Sequence, residues 1–306
     1  MSLVLAHNKR DSRILAQKLA FAAVALIAAA VVIPILGLFG FIAFQGASKV
    51  NWDFLTKNPS ALDASGGIFP AIIGTAWLIV FTILLAMPLG VIGAVYLTEY
   101  GGRSKLVTLV RAAIVNLAGV PSIVHGLFGL GCFVFFVGGS IDRIILRTSK
   151  PVWGQPCLLW GACTLAVVIL PIVIKSTEEA LAAVPKSFRE GSQALGATKW
   201  ETIRRIILPA ALPEILTGAV LGIGRATGET APVMLTCAAS FKPTLPQGLG
   251  DQAMLLPYHL YFVVTQVPNA KMDTKSAIAL VLISFVAASS IVVILLRSKF
   301  KKARKW

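Results

Sequence analysis

The chain has 306 residues, of which 57% are hydrophobic and 13% are charged. Soluble proteins carry about 25% charged residues, so this composition does not fit a water-soluble enzyme or a single globular domain. The net charge is +15, but the basic residues lie between and outside long apolar runs and do not alternate with aromatic residues on one face. Nucleic-acid binding is therefore not predicted, and the composition indicates an integral membrane protein.

Six apolar runs are long enough to cross a bilayer, which takes about 20 residues in a helix. Five of them are uncharged, and the run over residues 209–239 contains Glu214, Arg225 and Glu229. The other runs are 19–44, 68–98, 112–141, 151–174 and 276–296. The predicted fold class is all-α, a polytopic membrane protein with six transmembrane helices.

The same runs predict how the chain is divided. We expect a cytoplasmic N-terminal segment 1–18, a first transmembrane helix 19–45, an extracytoplasmic loop 46–67, a five-helix core 68–296 with a cytoplasmic loop 175–209, and a basic cytoplasmic tail 297–306. The first run follows four basic residues, as a signal peptide would, but a cleaved apolar region is only about 7–15 residues long. We therefore expect this helix to be retained.

The basic residues of the loops predict the orientation. Nineteen lie in the two terminal segments and in the loops 101–111 and 175–209, whereas eight lie in the three loops of the other side. Cytoplasmic segments carry the excess of Lys and Arg, so both termini are predicted to be cytoplasmic. The loop 139–150, with three basic residues, is a local exception.

No catalytic, metal or nucleotide site is predicted in this chain. The four cysteines lie in or beside apolar runs without a C-x-x-C pair, and they are interpreted as buried, inert thiols. No His or Cys cluster has zinc spacing, and no G-x4-G-K-[ST] motif is present. Nor is there a nucleophile paired with a base, so a membrane-embedded enzyme is not predicted.

The loop 175–209 contains the pattern Ser/Thr-x-x-Glu three times, beginning at Ser176, Ser187 and Thr198. Each fits a capping box, and Gly196 suits the left-handed residue after a short helix, so short helices laid end to end are predicted, one over 188–195. Phe188 and Leu195 share a face of that helix. The residues alone leave two interpretations open, a solvated amphipathic loop and a docking element for a cytoplasmic partner.

A motif in this loop resembles a known family. Glu190-Gly191-Ser192, Gly196 and Ile206-Ile207-Leu208-Pro209 resemble the E-A-A-x3-G-x9-I-x-L-P motif of the permease subunits of binding-protein-dependent ABC importers, with two alanines replaced by Gly191 and Ser192. The resemblance implies the MetI-like fold and a coupling helix that inserts into an ATPase subunit. The implied ATPase-coupling residues are Phe188, Glu190, Gly191, Leu195, Gly196 and Pro209.

Further segments resemble the phosphate-specific branch of this family, and within it the A-type permeases. They are residues 67–75, 97–100, 119–124 and 228–232. The resemblance implies a homologous C-type permease partner, two ATPase subunits that bind ATP and magnesium, and an extracytoplasmic phosphate-binding protein. It also implies a multi-pass protein of the bacterial plasma (inner) membrane that transports but does not itself hydrolyse ATP.

Arg225 and Glu229 are the ionisable pair deep within an apolar run. A charge at mid-bilayer costs several kcal/mol, so it faces protein or water, and residues four apart share a helical face. One hypothesis is a self-neutralising pair that helps the helix insert, and the other is an anion site, since a guanidinium donates two parallel hydrogen bonds to an oxyanion. The resemblance favours the anion site. Candidate hydroxyls around it are those of Thr227, Thr230 and Ser122.

The predicted function is a permease subunit of an ATP-driven phosphate importer. One alternative is the same machine for sulfate or molybdate. A second is a stand-alone secondary transporter, which would need internal repeats and more than six spans, or homo-oligomers, and no two halves of the sequence resemble each other.

Overall fold

A computed structural model describes residues 2–59, 66–102, 104–148 and 150–302, and the side chains of residues 17–300 within these ranges. Parts of the predicted N-terminal segment 1–18, loop 46–67 and tail 297–306 therefore lie outside the described residues. So does Arg103 of the predicted loop 101–111.

The described residues form twelve α-helices. The first half of the chain contains α1 (Ser2–Gly46), α2 (Trp52–Thr56), α3 (Phe69–Val95), α4 (Lys105–Ala118), α5 (Ser122–Gly129) and α6 (Leu158–Ala183). The second half contains α7 (Lys186–Ala194), α8 (Lys199–Thr202), α9 (Leu208–Gly228), α10 (Ala231–Thr236), α11 (Leu256–Gln266) and α12 (Met272–Lys302). Wider π-helical turns extend α3 to Tyr100, continue α5 through 130–138, and join α8 to α9.

Within the described ranges, six helical stretches are long and apolar enough to cross a membrane. They are Gln17–Gly46, Phe69–Tyr100, Ser122–Ile145, Leu158–Ala183, Lys199–Gly228 and Met272–Phe300. The predicted all-α class with six transmembrane helices is thereby confirmed.

Two of the apolar runs are not continuous helices. The run 112–141 is interrupted where α4 ends at Ala118, and α5 begins after Pro121, whose backbone is extended. The run 209–239 is interrupted at Glu229, which adopts an extended conformation after α9, and Pro232 lies in the first turn of α10. Proline has no amide hydrogen and fits the first turn of a helix, which explains why each new helix begins beside one.

The helix α6 is the centre of the bundle. It packs against α3 on one side and α9 on the other, while α12 packs on α9 and α1 packs on α12. The contact with α9 is close because position 218 is glycine: a Cβ there would lie 1.9 Å from Ser176 Oγ. The helix α1 and residues 291–300 of α12 expose most of their apolar side chains that the structure describes, as expected of helices that face lipid.

Candidate functional site

Arg225 and Glu229 form the ion pair that their spacing predicts. The Nε atom of Arg225 donates to Glu229 Oε1 at 3.2 Å. Arg225 lies in the last turn of α9, and Glu229 is the residue at which the helix ends. The side chains are 34% and 16% exposed within this chain. The pair is therefore set at a break in the fifth span and reaches a surface that water or a second subunit can contact.

The guanidinium of Arg225 keeps free donors. Among the described residues its hydrogen bond goes to Glu229 through Nε, and both Nη groups are without a hydrogen-bond partner. A guanidinium stays protonated at physiological pH, and two adjacent N–H groups match two oxygens of a tetrahedral anion. Glu229 neutralises part of the charge and fixes the orientation of the fork. The arrangement can thus hold an oxyanion without burying a full, uncompensated charge.

Of the three candidate hydroxyls, the structure does not bring Thr227 to the pair. Thr227 is buried, and its hydroxyl donates to Ile223 O at 2.7 Å, so it is fully engaged inside the helix packing. Its direction differs because residues two apart lie on opposite sides of a helix. Its part in the candidate site stays a prediction, and its hydroxyl proton is already donated within the helix.

Thr230 and Ser122 are far apart in the sequence but stand at the starts of two helices that pack together. Thr230 directly precedes α10, and Ser122 lies in the first turn of α5. These two helices pack together, since a Cβ on Gly126 of α5 would lie 2.9 Å from Pro232 Cα of α10. The breaks in the third and fifth spans thus belong to one packed unit. Both residues are partly exposed and remain candidates for the oxygen shell.

The loop 175–209 is helical, but two of its three predicted capping boxes are wrong. Thr198 forms one, because its hydroxyl accepts from the amide of Glu201 and the Glu201 carboxylate accepts from the amide of Thr198. Ser176 lies inside α6, where its hydroxyl bonds Val173 O. Ser187 lies within α7, which begins after Pro185 without a side-chain cap. The helix α6 instead continues to Ala183.

The helix α7 corresponds to the predicted short helix over 188–195. Leu195, directly after its end, is 91% exposed, and Phe188 is 37% exposed. Glu190 and Gly191 are exposed, and a Cβ at Gly191 would meet open space, which leaves a dent between the two apolar side chains. Gly196 has φ +86°, the left-handed conformation predicted for it. Pro209 lies apart from this surface, in the first turn of α9.

A network behind α7 was not predicted from the sequence. Arg189 binds the Glu99 carboxylate at 2.8 Å, although 90 positions separate the two residues. Ser192 shares a buried hydrogen bond of 2.9 Å with Thr202. No local spacing signals such pairs, and the only hint was that Glu99 and Ser192 belong to the segments that carry the family resemblance.

The loop after the third span has its own anchor, Asp142, which was also missed. Its carboxylate is buried and accepts hydrogen bonds from the amides of Val152, Trp153 and Gly154 at 2.7–3.0 Å. These bonds fold the basic loop back on the helix end. The signal available in the sequence was an isolated acidic residue inside an otherwise apolar and basic segment.

The cysteines and acidic residues do not form a metal site within the described part of the chain. The four thiols are free, and Cys157 and Cys237 are buried. No group of three His, Cys, Asp or Glu side chains is found there that could hold a metal ion.

Comparison with known proteins places the chain in a family. Residues 86–305 match the family described as "Binding-protein-dependent transport system inner membrane component". The chain is 33% identical over 286 residues to the probable ABC transporter permease protein YqgI of Bacillus subtilis, covering 89% of this chain and 92% of that protein. It is 33% identical over 278 residues to the phosphate transport system permease protein PstA 1 of Mycobacterium tuberculosis, covering 89% and 84%. Further relatives are also PstA proteins, in agreement with the A-type resemblance.

Solved structures share the fold. A bacterial ABC transporter that imports the acidic polysaccharide alginate has a chain with a TM-score of 0.60 at 18% identity, covering 91% of this chain and 96% of that one. A chain of the MetNI methionine ABC transporter in an inward-facing conformation gives a TM-score of 0.54 at 18% identity, covering 76% and 94%. The chain therefore belongs to the binding-protein-dependent permease family, as a multi-pass membrane permease subunit of an ABC importer.

Proposed function

We propose that this permease subunit imports inorganic phosphate. The observation that carries the proposal is the Arg225–Glu229 pair, held at a broken end of the fifth span with both Nη groups of the guanidinium free among the described residues. The relatives named as phosphate transport permeases support the same substrate. In this proposal the free Nη groups bind two oxygens of phosphate, and Thr230 and Ser122 supply further donors from the adjacent helix starts.

The Arg225–Glu229 pair also explains how a bound anion can be released. A buried, unpaired cation would hold a divalent anion too tightly for turnover, whereas a guanidinium already paired with a carboxylate offers a weaker net attraction. Glu229 thus tunes the affinity of the site as well as the position of Arg225. Transport needs a site of intermediate affinity that exchanges its ion when the path opens to the cytoplasm.

The proposed machine contains several other chains. A homologous C-type permease would cover the surface to which Arg225 is exposed, and an extracytoplasmic phosphate-binding protein would deliver the anion. Two ATPase subunits would bind ATP and magnesium and dock on α7, where Leu195 and Phe188 flank the dent at Gly191. Both termini would lie in the cytoplasm, and the membrane would be the bacterial inner membrane.

Uptake of labelled phosphate by the complete transporter tests the proposal. The two permeases, the ATPase and the binding protein are reconstituted in proteoliposomes, and uptake is measured with ATP, without ATP, and with an excess of sulfate or molybdate. We expect ATP-dependent uptake that unlabelled phosphate suppresses and sulfate does not. Suppression by sulfate or molybdate as strong as that by the same excess of unlabelled phosphate would assign the other oxyanion instead. Uptake driven by a proton gradient without ATP would contradict the proposal.

A further inference from the structure

Arg189 lies inside the short helix α7, yet its side chain points back into the membrane-spanning part of the molecule. The side chain is 20% exposed, and that of its partner Glu99 is 9% exposed. The Nε and Nη2 atoms of Arg189 both donate to Glu99 Oε1, at 3.2 and 2.8 Å. Glu99 belongs to the final turn of the second span, Phe69–Tyr100. The helix proposed to receive the ATPase is therefore tied by a charge-assisted bond to a distant span.

The remaining donors of the same guanidinium bind a third element. The Nη1 atom donates to Val184 O at 2.7 Å, and Nη2 donates to Leu181 O at 2.8 Å. These carbonyls stand at the C-terminal end of α6, where helices leave acceptors unsatisfied and where the helix dipole favours a cation. One side chain on α7 thus binds the cytoplasmic ends of both α3 and α6.

Two further contacts hold the same junction. The ammonium of Lys199, at the start of α8, donates to the carbonyl of Glu99 and lies 4.9 Å from the ring centroid of Tyr100. Ser192 of α7 is hydrogen-bonded to Thr202 of α8 at 2.9 Å. The helices α7 and α8 are therefore joined to each other, and each is joined to the end of the second span.

The backbone alone does not provide this connection. Between α6 and α7 the chain has only Val184 and Pro185, so the covalent link joins α7 to α6 but not to the second span. The second span lies 90 positions away, and α7 reaches it through the Arg189 side chain. The ion pair is thus the direct link from α7 to the second span, beside the indirect link through Ser192, Thr202 and Lys199.

We propose that Arg189 is the positioning residue that transmits displacement of α7 to the second span and to α6. The path to the anion site continues through α6, because its Ser176 lies directly against Gly218 of α9, the helix that carries Arg225. Arg189 itself touches neither substrate nor ATPase in this role. The inference rests on the proposed function, since it takes α7 as the ATPase-docking helix, and it adds the specific side chain that couples the two.

The first test compares three variants in the reconstituted transporter. Glu99→Gln removes one charge of the pair at almost unchanged volume, and Arg189→Gln removes the guanidinium with all its donors. Exposed Lys105 of α4 provides the control Lys105→Gln. We expect both pair variants to assemble and hydrolyse ATP, while the phosphate imported per ATP hydrolysed falls by about tenfold, the range seen when a coupling network is cut. The control should keep the wild-type ratio.

The second test replaces the ion pair with a covalent link. Glu99→Cys and Arg189→Cys are combined in a transport-competent background in which the four native cysteines are alanine, and a short bis-methanethiosulfonate cross-linker joins them. We expect import per ATP to be low before cross-linking, to recover when the link forms, and to fall again after dithiothreitol. The cross-linker should have no effect on either single-cysteine variant.

Clear outcomes would overturn the inference. A wild-type ratio in both Gln variants would show that the pair transmits nothing, and loss of assembly in both would assign it a structural role. Failure of the cross-link to restore the ratio would also contradict it. Each of these results is distinguishable from failure of the proposed function, which would appear as an absence of ATP-dependent phosphate uptake by the wild-type transporter.

Discussion

At the scale of single residues, three partly or fully buried charged side chains each have a specific partner. Arg225 has Glu229, Arg189 has Glu99, and Asp142 has three backbone amides. Burying a charge is costly unless hydrogen bonds compensate it, so these sites are tolerated because they are paired. Arg225 differs from Arg189 in one respect: all three donor atoms of Arg189 are occupied, whereas both Nη groups of Arg225 are not bonded within the described chain.

This difference leads to a prediction for Arg225. Its two free Nη groups would make two charge-assisted hydrogen bonds to phosphate, each worth roughly 1.5–3 kcal/mol, so Arg225→Ala should lower uptake by about 100-fold or more. Arg225→Lys keeps the charge but loses the fork, and uptake should also fall strongly. Uptake of labelled phosphate by the reconstituted complex measures both.

The control for Arg225 is assembly of the same complex, followed by size-exclusion chromatography, with Arg204→Gln as an exposed arginine of the same span. Both Arg225 variants should assemble like the wild-type protein. Normal phosphate transport by Arg225→Ala would refute the anion site and leave the pair as a device for membrane insertion.

Residue-scale prediction from the sequence succeeded where the signal was local. A four-residue spacing in a helix was enough to predict the Arg225–Glu229 pair, and Gly196 was predicted from its place after a short helix. The Arg189–Glu99 pair was missed because its partners meet only after α3, α6 and α7 have packed. The burial of Thr227 was not predicted either, because proximity along the chain does not show which way a side chain points.

At the scale of elements, the breaks are as informative as the helices. The third and fifth apolar runs each end and restart beside a proline, and the two restarted helices, α5 and α10, pack together. Such interruptions are tolerated in membranes where protein or water, rather than lipid, surrounds the free backbone groups. Apolar run length alone predicted the spans but not these interruptions.

The helix α7 carries a prediction of its own. Leu195 is 91% exposed, and burying a leucine side chain is worth roughly 1.5–3 kcal/mol, so Leu195→Asp should weaken binding of the ATPase by at least about tenfold. Co-purification and titration of the ATPase against the detergent-solubilised permeases measure the change.

Leu245 is the matched control for Leu195, because it is also exposed but belongs to the segment predicted to face the other side of the membrane. Leu245→Asp should leave ATPase binding unchanged. Equal affinity of the Leu195 variant and the wild-type protein would mean that α7 docks through another surface or not at all.

The capping pattern shows how far element prediction reaches. The same four-residue pattern begins at Ser176, Ser187 and Thr198, but of these three side chains only that of Thr198 caps the start of a helix. A capping box needs an extended N-cap residue. Ser176 instead lies inside α6, which continues past it, and it packs there against Gly218 of α9. The tertiary packing of α6 overrides the local signal.

At the scale of the whole molecule, lipid is the solvent that organises the fold. The central helix α6 is mostly buried, whereas α1 and α12 at the periphery bury few of their residues completely. Hydropathy therefore predicted the number and type of the helices well, because only a helix satisfies its own backbone in hydrocarbon. Which helix packs against which was not predictable, since apolar faces that contact lipid and apolar faces that contact protein have similar composition.

The asymmetry of basic residues predicts the orientation of the whole chain. In a background without native cysteines, Lys150→Cys should react with a membrane-impermeant maleimide in intact cells, and Arg204→Cys should react only after the membrane is opened. Both positions are exposed in the fold, so reactivity reports the side of the membrane. The reverse labelling pattern would invert the topology and remove α7 from the cytoplasm.

Gly46 lies where the end of α1 packs against the beginning of α12. A Cβ there would lie 2.7 Å from the backbone of Ser276, so the end of α1 and the beginning of α12 fit together only without a side chain between them. Since α1 precedes α12 in the chain, this contact cannot form until α12 has been synthesised. A chain that stops before α12 would therefore leave α1 without the helix against which it packs.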